Sequence, residues 1–71
     1  MSTSQIQHLI SMINQISSNN NYKKSDEETA NFVANHIRNF WARSMKEQIL
    51  HYAAEDGAEL SNASRIALTQ L

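Results

Sequence analysis

The sequence predicts an all-α fold, a small bundle of three to four short helices. Three observations carry that expectation. Apolar residues recur at helical spacing wherever they cluster, and alternating runs of β-branched residues are missing. The chain has no proline and one glycine, Gly57, so little interrupts a helix except serine and asparagine. Two serine-led stretches, Ser25-Asp26-Glu27-Glu28 and Ser44-Met45-Lys46-Glu47, have the spacing of a capping box.

The first helix is expected over residues 4–17. Ile6, Leu9, Ile10, Ile13 and Ile16 share one face, with Met12 at its margin. The run Ser17-Ser18-Asn19-Asn20-Asn21 then competes for backbone hydrogen bonds, so residues 18–24 are expected to form a flexible loop. Ser25 starts the second helix, with acidic residues suited to the positive end of its dipole. Ala30, Val33, Ile37, Phe40 and Trp41 form its apolar stripe, and Phe32, His36, Asn39 and Arg43 a second stripe along the edge.

A break at residues 42–44 is expected, although without proline or glycine the second and third helices could also run together. The third helix is expected to start at Ser44, to line one side with Met45, Ile49, Tyr52 and Ala53, and to end at Gly57 as a left-handed cap. Leu60 before Ser61 reads as a hydrophobic staple ahead of an N-cap. Ala63, Ile66, Ala67 and Leu71 then give a last, modest apolar face. Residues 1–71 are thus read as one helical domain, with 1–4 disordered ahead of it. The expected core anchors are Ile13, Ile37, Phe40, Trp41 and Met45.

The chain has 71 residues. A domain of that size buries only about 60% of the surface its unfolded chain exposes, and an extra staple is common. Without cysteine there is no disulfide and no thiolate metal site, which leaves a partner chain as the expected supplement. Six basic and seven acidic residues give a net charge of −1, and the basic residues are scattered. Nucleic-acid binding is therefore not expected. No apolar run approaches the length of a membrane span. The opening Met1-Ser2-Thr3-Ser4 lacks the features of a signal peptide, so a cytoplasmic location is expected.

The residues offer little chemistry. His8, His36 and His51 do not have the i, i+4 spacing of a helical zinc site. The serines fall at caps and in the loop, where structural roles suffice, and the acidic run 26–28 sits at an exposed helix start. One glycine cannot build a phosphate loop. No catalytic, metal or cofactor site is expected in this chain. The segment that stands out is His36-Ile37-Arg38-Asn39-Phe40-Trp41, with the only tryptophan. Phe40 and Trp41 are expected to face inward. Phe32, His36, Arg38, Asn39 and Arg43 are expected to meet a partner, because aromatic and arginine side chains offer large contact area with a polar handle.

These residues resemble a known family, the small delta subunit of bacterial cytoplasmic NAD-dependent formate dehydrogenases. Leu9-Ile10-Ser11-Met12-Ile13-Asn14-Gln15-Ile16 looks like the family's opening helix, L-x-x-M-x-N-Q-I. His36 to Trp41 looks like its central H-I-R-x-F-W, and Met45, Ile49, Leu50, His51, Gly57, Leu60 and Ala67 follow its later spacing. After the tryptophan the family usually has an acidic or small residue and then Pro-Arg-Met. Here Ala42-Arg43-Ser44-Met45 follows, with arginine in the place of the proline and serine in that of the next arginine.

The resemblance implies an accessory subunit that helps assemble or stabilise the enzyme. Its partners would be the larger subunits, which carry the molybdenum cofactor, iron–sulfur clusters, FMN and the NAD site. Two other readings compete. The wide apolar arc of the first helix suits a free-standing helical homodimer with an interaction or regulatory role. Three or four short helices also suit a helix-turn-helix DNA binder, against which the charge balance speaks.

Overall fold

The computed structural model describes residues 4–21 and 25–71. Four helices follow in order: α1 (Gln5–Asn19), α2 (Asp26–Phe40), α3 (Arg43–Glu55) and α4 (Asn62–Thr69). There is no strand among the described residues. α2 packs most extensively against α4, and α1 lies against the other three. One core results, built around Leu9, Ile13, Val33, Ile37, Trp41 and Ile49.

Local chemistry sets most helix ends. Ser4 caps α1, its side chain accepting from the Gln7 N–H, so it is part of the ordered structure; residues 1–3 lie outside the described residues. Ser25 and Glu28 form the complete capping box of α2. Ser61 caps α4 and accepts from the Ser64 N–H. Gly57 closes α3 at φ 64°, its N–H donating to the Tyr52 carbonyl at 3.1 Å. A β-carbon there would meet the Ala53 carbonyl oxygen at 3.2 Å, so glycine suits the position twice over.

Five expectations change. α1 runs two residues further than expected, because the Asn20 amide donates to the Ile16 carbonyl at 2.8 Å and closes the helix instead of breaking it. Of the expected loop 18–24, Ser18 and Asn19 are helical, and 22–24 lie outside the described residues. α3 begins at Arg43 with Ala42 as its N-cap, so Ser44 lies inside the first turn and caps nothing. Leu60 is buried in the core and does not staple, since the residue four on from Ser61 is Arg65, whose Nε donates to the Leu60 carbonyl. On α4 Ala63 and Ala67 are buried as expected, Leu68 is buried with them, and Leu71 beyond the helix is exposed.

The break between α2 and α3 falls at Trp41 and Ala42, both extended, with ψ 141° and 154°. Neither proline nor glycine forces it. A single rod from Asp26 to Glu55 would be about 45 Å long at 1.5 Å per residue. That exceeds 37 Å, the longest dimension of the molecule. Turning the chain at Trp41 returns Ile49 to the core that Ile37 and Ile13 share. Trp41, at 6% exposure, fills the corner. Lys46 supports the turn by donating to the Arg38 carbonyl at 3.0 Å. Met45 is partly buried against the core.

A polar bracket joins α1 to the end of the chain. The Asn14 amide nitrogen donates to the Glu59 carbonyl at 2.8 Å. Its oxygen accepts from the Ser61 N–H at 3.0 Å and the Ser64 hydroxyl at 2.9 Å. The Ser64 hydroxyl also lies 2.9 Å from that of Ser17, and both serines are buried. The buried Ser17 and Ser64 hydroxyls would cost stability without their partners.

Two predictions follow from these contacts. Asn14→Ala leaves the Ser61 N–H and the buried Ser64 hydroxyl short of an acceptor, and should lower unfolding stability by about 1–3 kcal/mol in urea titration. A wild-type midpoint would show that the bracket carries no net energy. Arg43→Pro should leave stability unchanged or raise it by up to about 1 kcal/mol, because Arg43 is the first residue of α3 and the backbone of Ala42 is already extended as a residue before proline requires. A fall in the melting temperature would contradict that assignment of the helix start.

Candidate partner-binding face

The His36-to-Trp41 segment spans the last turn and a half of α2 and its C-cap. Helical geometry splits its side chains. Ile37 and the capping residue Trp41 point into the core. Arg38 lies two residues from His36, on the opposite flank of the helix. Its guanidinium donates to the Gln70 carbonyl at 3.1 Å, so it ties α2 to the end of the chain. Arg43 belongs to the next helix and pairs with Glu47 across one turn, both side chains mostly exposed. Asn39 is exposed, its amide donating to the Asn35 side-chain oxygen at 3.4 Å. The five residues expected to form one contact are thus spread over two helices and both flanks of α2.

Phe40 corrects the core prediction. It is 74% exposed. Phe40 and Thr29 are three turns apart on nearly the same line of α2, offset by roughly 20°. Thr29 is fully buried. The bundle covers that line at the start of α2 and leaves it open at the end. The backbone turn after Phe40 carries Trp41 into the corner and leaves the phenylalanine ring outside.

With Phe32 and His36, Phe40 forms a column at i, i+4 and i+8. The Phe32 and His36 rings are stacked, with centroids 6.5 Å apart and planes 20° apart. The His36 and Phe40 rings are 4.9 Å apart and tilted by 38°. Phe32 is 44% exposed and His36 half-buried. Neighbouring rings at i and i+4 hold each other's rotamers. The result is a pre-ordered aromatic surface on a regular helix. Single exposed apolar residues are ordinary; here two phenylalanines stand on one stripe with His36 between them. Burying the Phe40 ring against a partner would return about 1.5–3 kcal/mol.

The spacing that marks this column was present in the sequence as Phe32, His36 and Phe40. Reading Phe40 as a core residue hid it.

A match to the family described as NADH-dependant formate dehydrogenase delta subunit FdsD covers residues 8–68. The chain belongs to that family. It is a delta subunit of NAD-dependent formate dehydrogenase, and other subunits of that enzyme are its implied partners. No curated protein and no solved structure matched the chain. Both sequence motifs lie within the matched residues. In this delta subunit Asn14 of the first motif is the bracket of the fold, and the second motif supplies both the corner tryptophan and two rings of the exposed column.

Two observations bear on metal ligation in this delta subunit. The sequence has no cysteine to ligate an iron–sulfur cluster. Among the described residues no three histidine or carboxylate side chains stand together as a metal site. Among the same residues, no helix is long and apolar enough to cross a membrane.

The two neighbouring aromatics of the motif should separate in mutagenesis. Trp41→Ala should cost about 3–5 kcal/mol and unfold much of the population. Phe40→Ala should change stability by less than about 0.5 kcal/mol, as expected for an exposed site. Equal losses in thermal melts of the two variants would place Phe40 in the core after all.

Proposed function

We propose that this delta subunit carries no active site and acts as an accessory chain, helping to assemble or stabilise a cytoplasmic, molybdenum-dependent formate dehydrogenase. It docks on a larger subunit through the Phe32–His36–Phe40 column. The observation that carries this reading is the 74% exposure of Phe40 on an ordered helix, in line with the rings of His36 and Phe32. An exposed aromatic of this size gives a folded monomer nothing, whereas rigid aromatic anchors dominate binding energy at interfaces. The thin stability margin of so short a chain also favours a life bound to a larger partner. Formate oxidation, electron transfer and NAD reduction then belong to the other subunits.

The test is co-expression of the delta subunit with a tagged large subunit. His36→Ala combined with Phe40→Ala should lower co-purified delta subunit by roughly tenfold or more while the helical circular dichroism stays that of the wild type. Arg38→Ala should act differently, through loss of the Gln70 tether and a looser chain end. Wild-type recovery of the double variant would overturn the docking face. A tight dimer of the isolated chain that the same double variant dissociates would transfer the face to self-association.

A further inference from the structure

A second surface lies on α3. An open groove of about 730 Å³ runs between the start of α1 and α3. Ile6 and Tyr52 supply apolar walls, and Ser44, Glu47, Gln48, His51, Glu55 and Asp56 form the rest of its lining. The walls are fixed: both residues pack against the core, and the Tyr52 hydroxyl accepts from the Glu59 N–H at 3.1 Å.

The charge around the groove is one-sided. No lysine or arginine lines it. Lys46, on the same helix, is committed to the Arg38 carbonyl. Glu47 is tied to Arg43 and Glu55 to His51, while among the described residues Asp56 has no cationic partner. Glu55 is the last residue of α3 and Asp56 its C-cap. Acidic side chains at that end oppose the negative pole of the helix dipole. They weaken the isolated helix, and an arriving cation relieves the conflict. Glu55 has His51 as a local partner, whereas Asp56 has no cation of its own among the described residues.

We propose that this groove receives a segment of another formate dehydrogenase subunit bearing one bulky apolar side chain flanked by lysine or arginine. The apolar side chain seats between Ile6 and Tyr52, and the basic groups meet Glu55, Asp56 and Glu47. The proposal rests on the accessory-subunit reading and adds a second contact to it. The two surfaces adjoin: Ser44 also lines the groove. It is four residues from Phe40, so their α-carbons are at most about 14 Å apart. One partner can cover both.

The test measures binding of the delta subunit to the remaining subunits purified without it. Glu55→Lys with Asp56→Lys places cations where the helix dipole favours them, so the melting temperature should hold or rise. Affinity should nonetheless fall by about tenfold, because attractive rim contacts become repulsive. The salt dependence seen for the wild type between about 0.05 and 0.5 M NaCl should flatten or reverse. Phe40→Ala is measured in parallel. Binding by the charge-reversed chain within about twofold of the wild type overturns the groove proposal, and a loss with Phe40→Ala alone then leaves the accessory reading standing. If the wild-type chain does not bind the other subunits at all, both fall.

Discussion

The Asn14 bracket is the constraint on which the other contacts depend. α4 is eight residues long, below the length at which a helix holds together in water. It persists because its apolar face packs on α2 and because its first turn is hydrogen-bonded to α1 through Asn14, Ser17 and Ser64. The same asparagine fixes the Glu59 carbonyl, and so the path of the chain from the Gly57 turn into the Ser61 cap. A buried polar cluster of this kind is tolerable only when its members are partnered, and the distances of 2.8–3.0 Å around Asn14 meet that condition.

From that arrangement follows what α2 buries and what it exposes. α4 covers one side of α2 and α1 another, which satisfies Ala30, Val33, Ala34 and Ile37. Among the described residues no helix covers the remaining side, and there Phe32, His36 and Phe40 stand in line. The Trp41 corner completes the division, since it takes the largest side chain of the segment inward and leaves its neighbour outside. Burial and exposure therefore fall to adjacent residues. Arg43, where the family usually carries proline, occupies the first position of α3, and an extended Ala42 makes the turn without the ring.

Much of the architecture was legible in the sequence because it is local. The capping boxes, the glycine end and the apolar spacing each act within about five residues, and the Ser25 box and Gly57 formed as their spacing required. Where local signals failed, a second local partner had intervened. Asn20 reached back to Ile16 and extended α1, and the need to bury Trp41 moved the start of α3 ahead of the Ser44 pattern. Of the binding face, Phe32 and His36 were legible as an edge stripe, whereas Phe40 was not, because its angular position alone fits either side.

The sequence by itself determined the helical class, most helix ends and the family, since these follow from periodicity, caps and ordered motifs. Only the tertiary structure decided the fates of Phe40, Asn14, Ser17, Ser64 and Leu68. Their surroundings come from residues far away in the chain, such as Ser64 against Ser17 and Asn14. No pattern confined to one helix records whether another helix will arrive to cover an edge. For α2 it arrives at Thr29 and not at Phe40, and that difference leaves the aromatic column exposed.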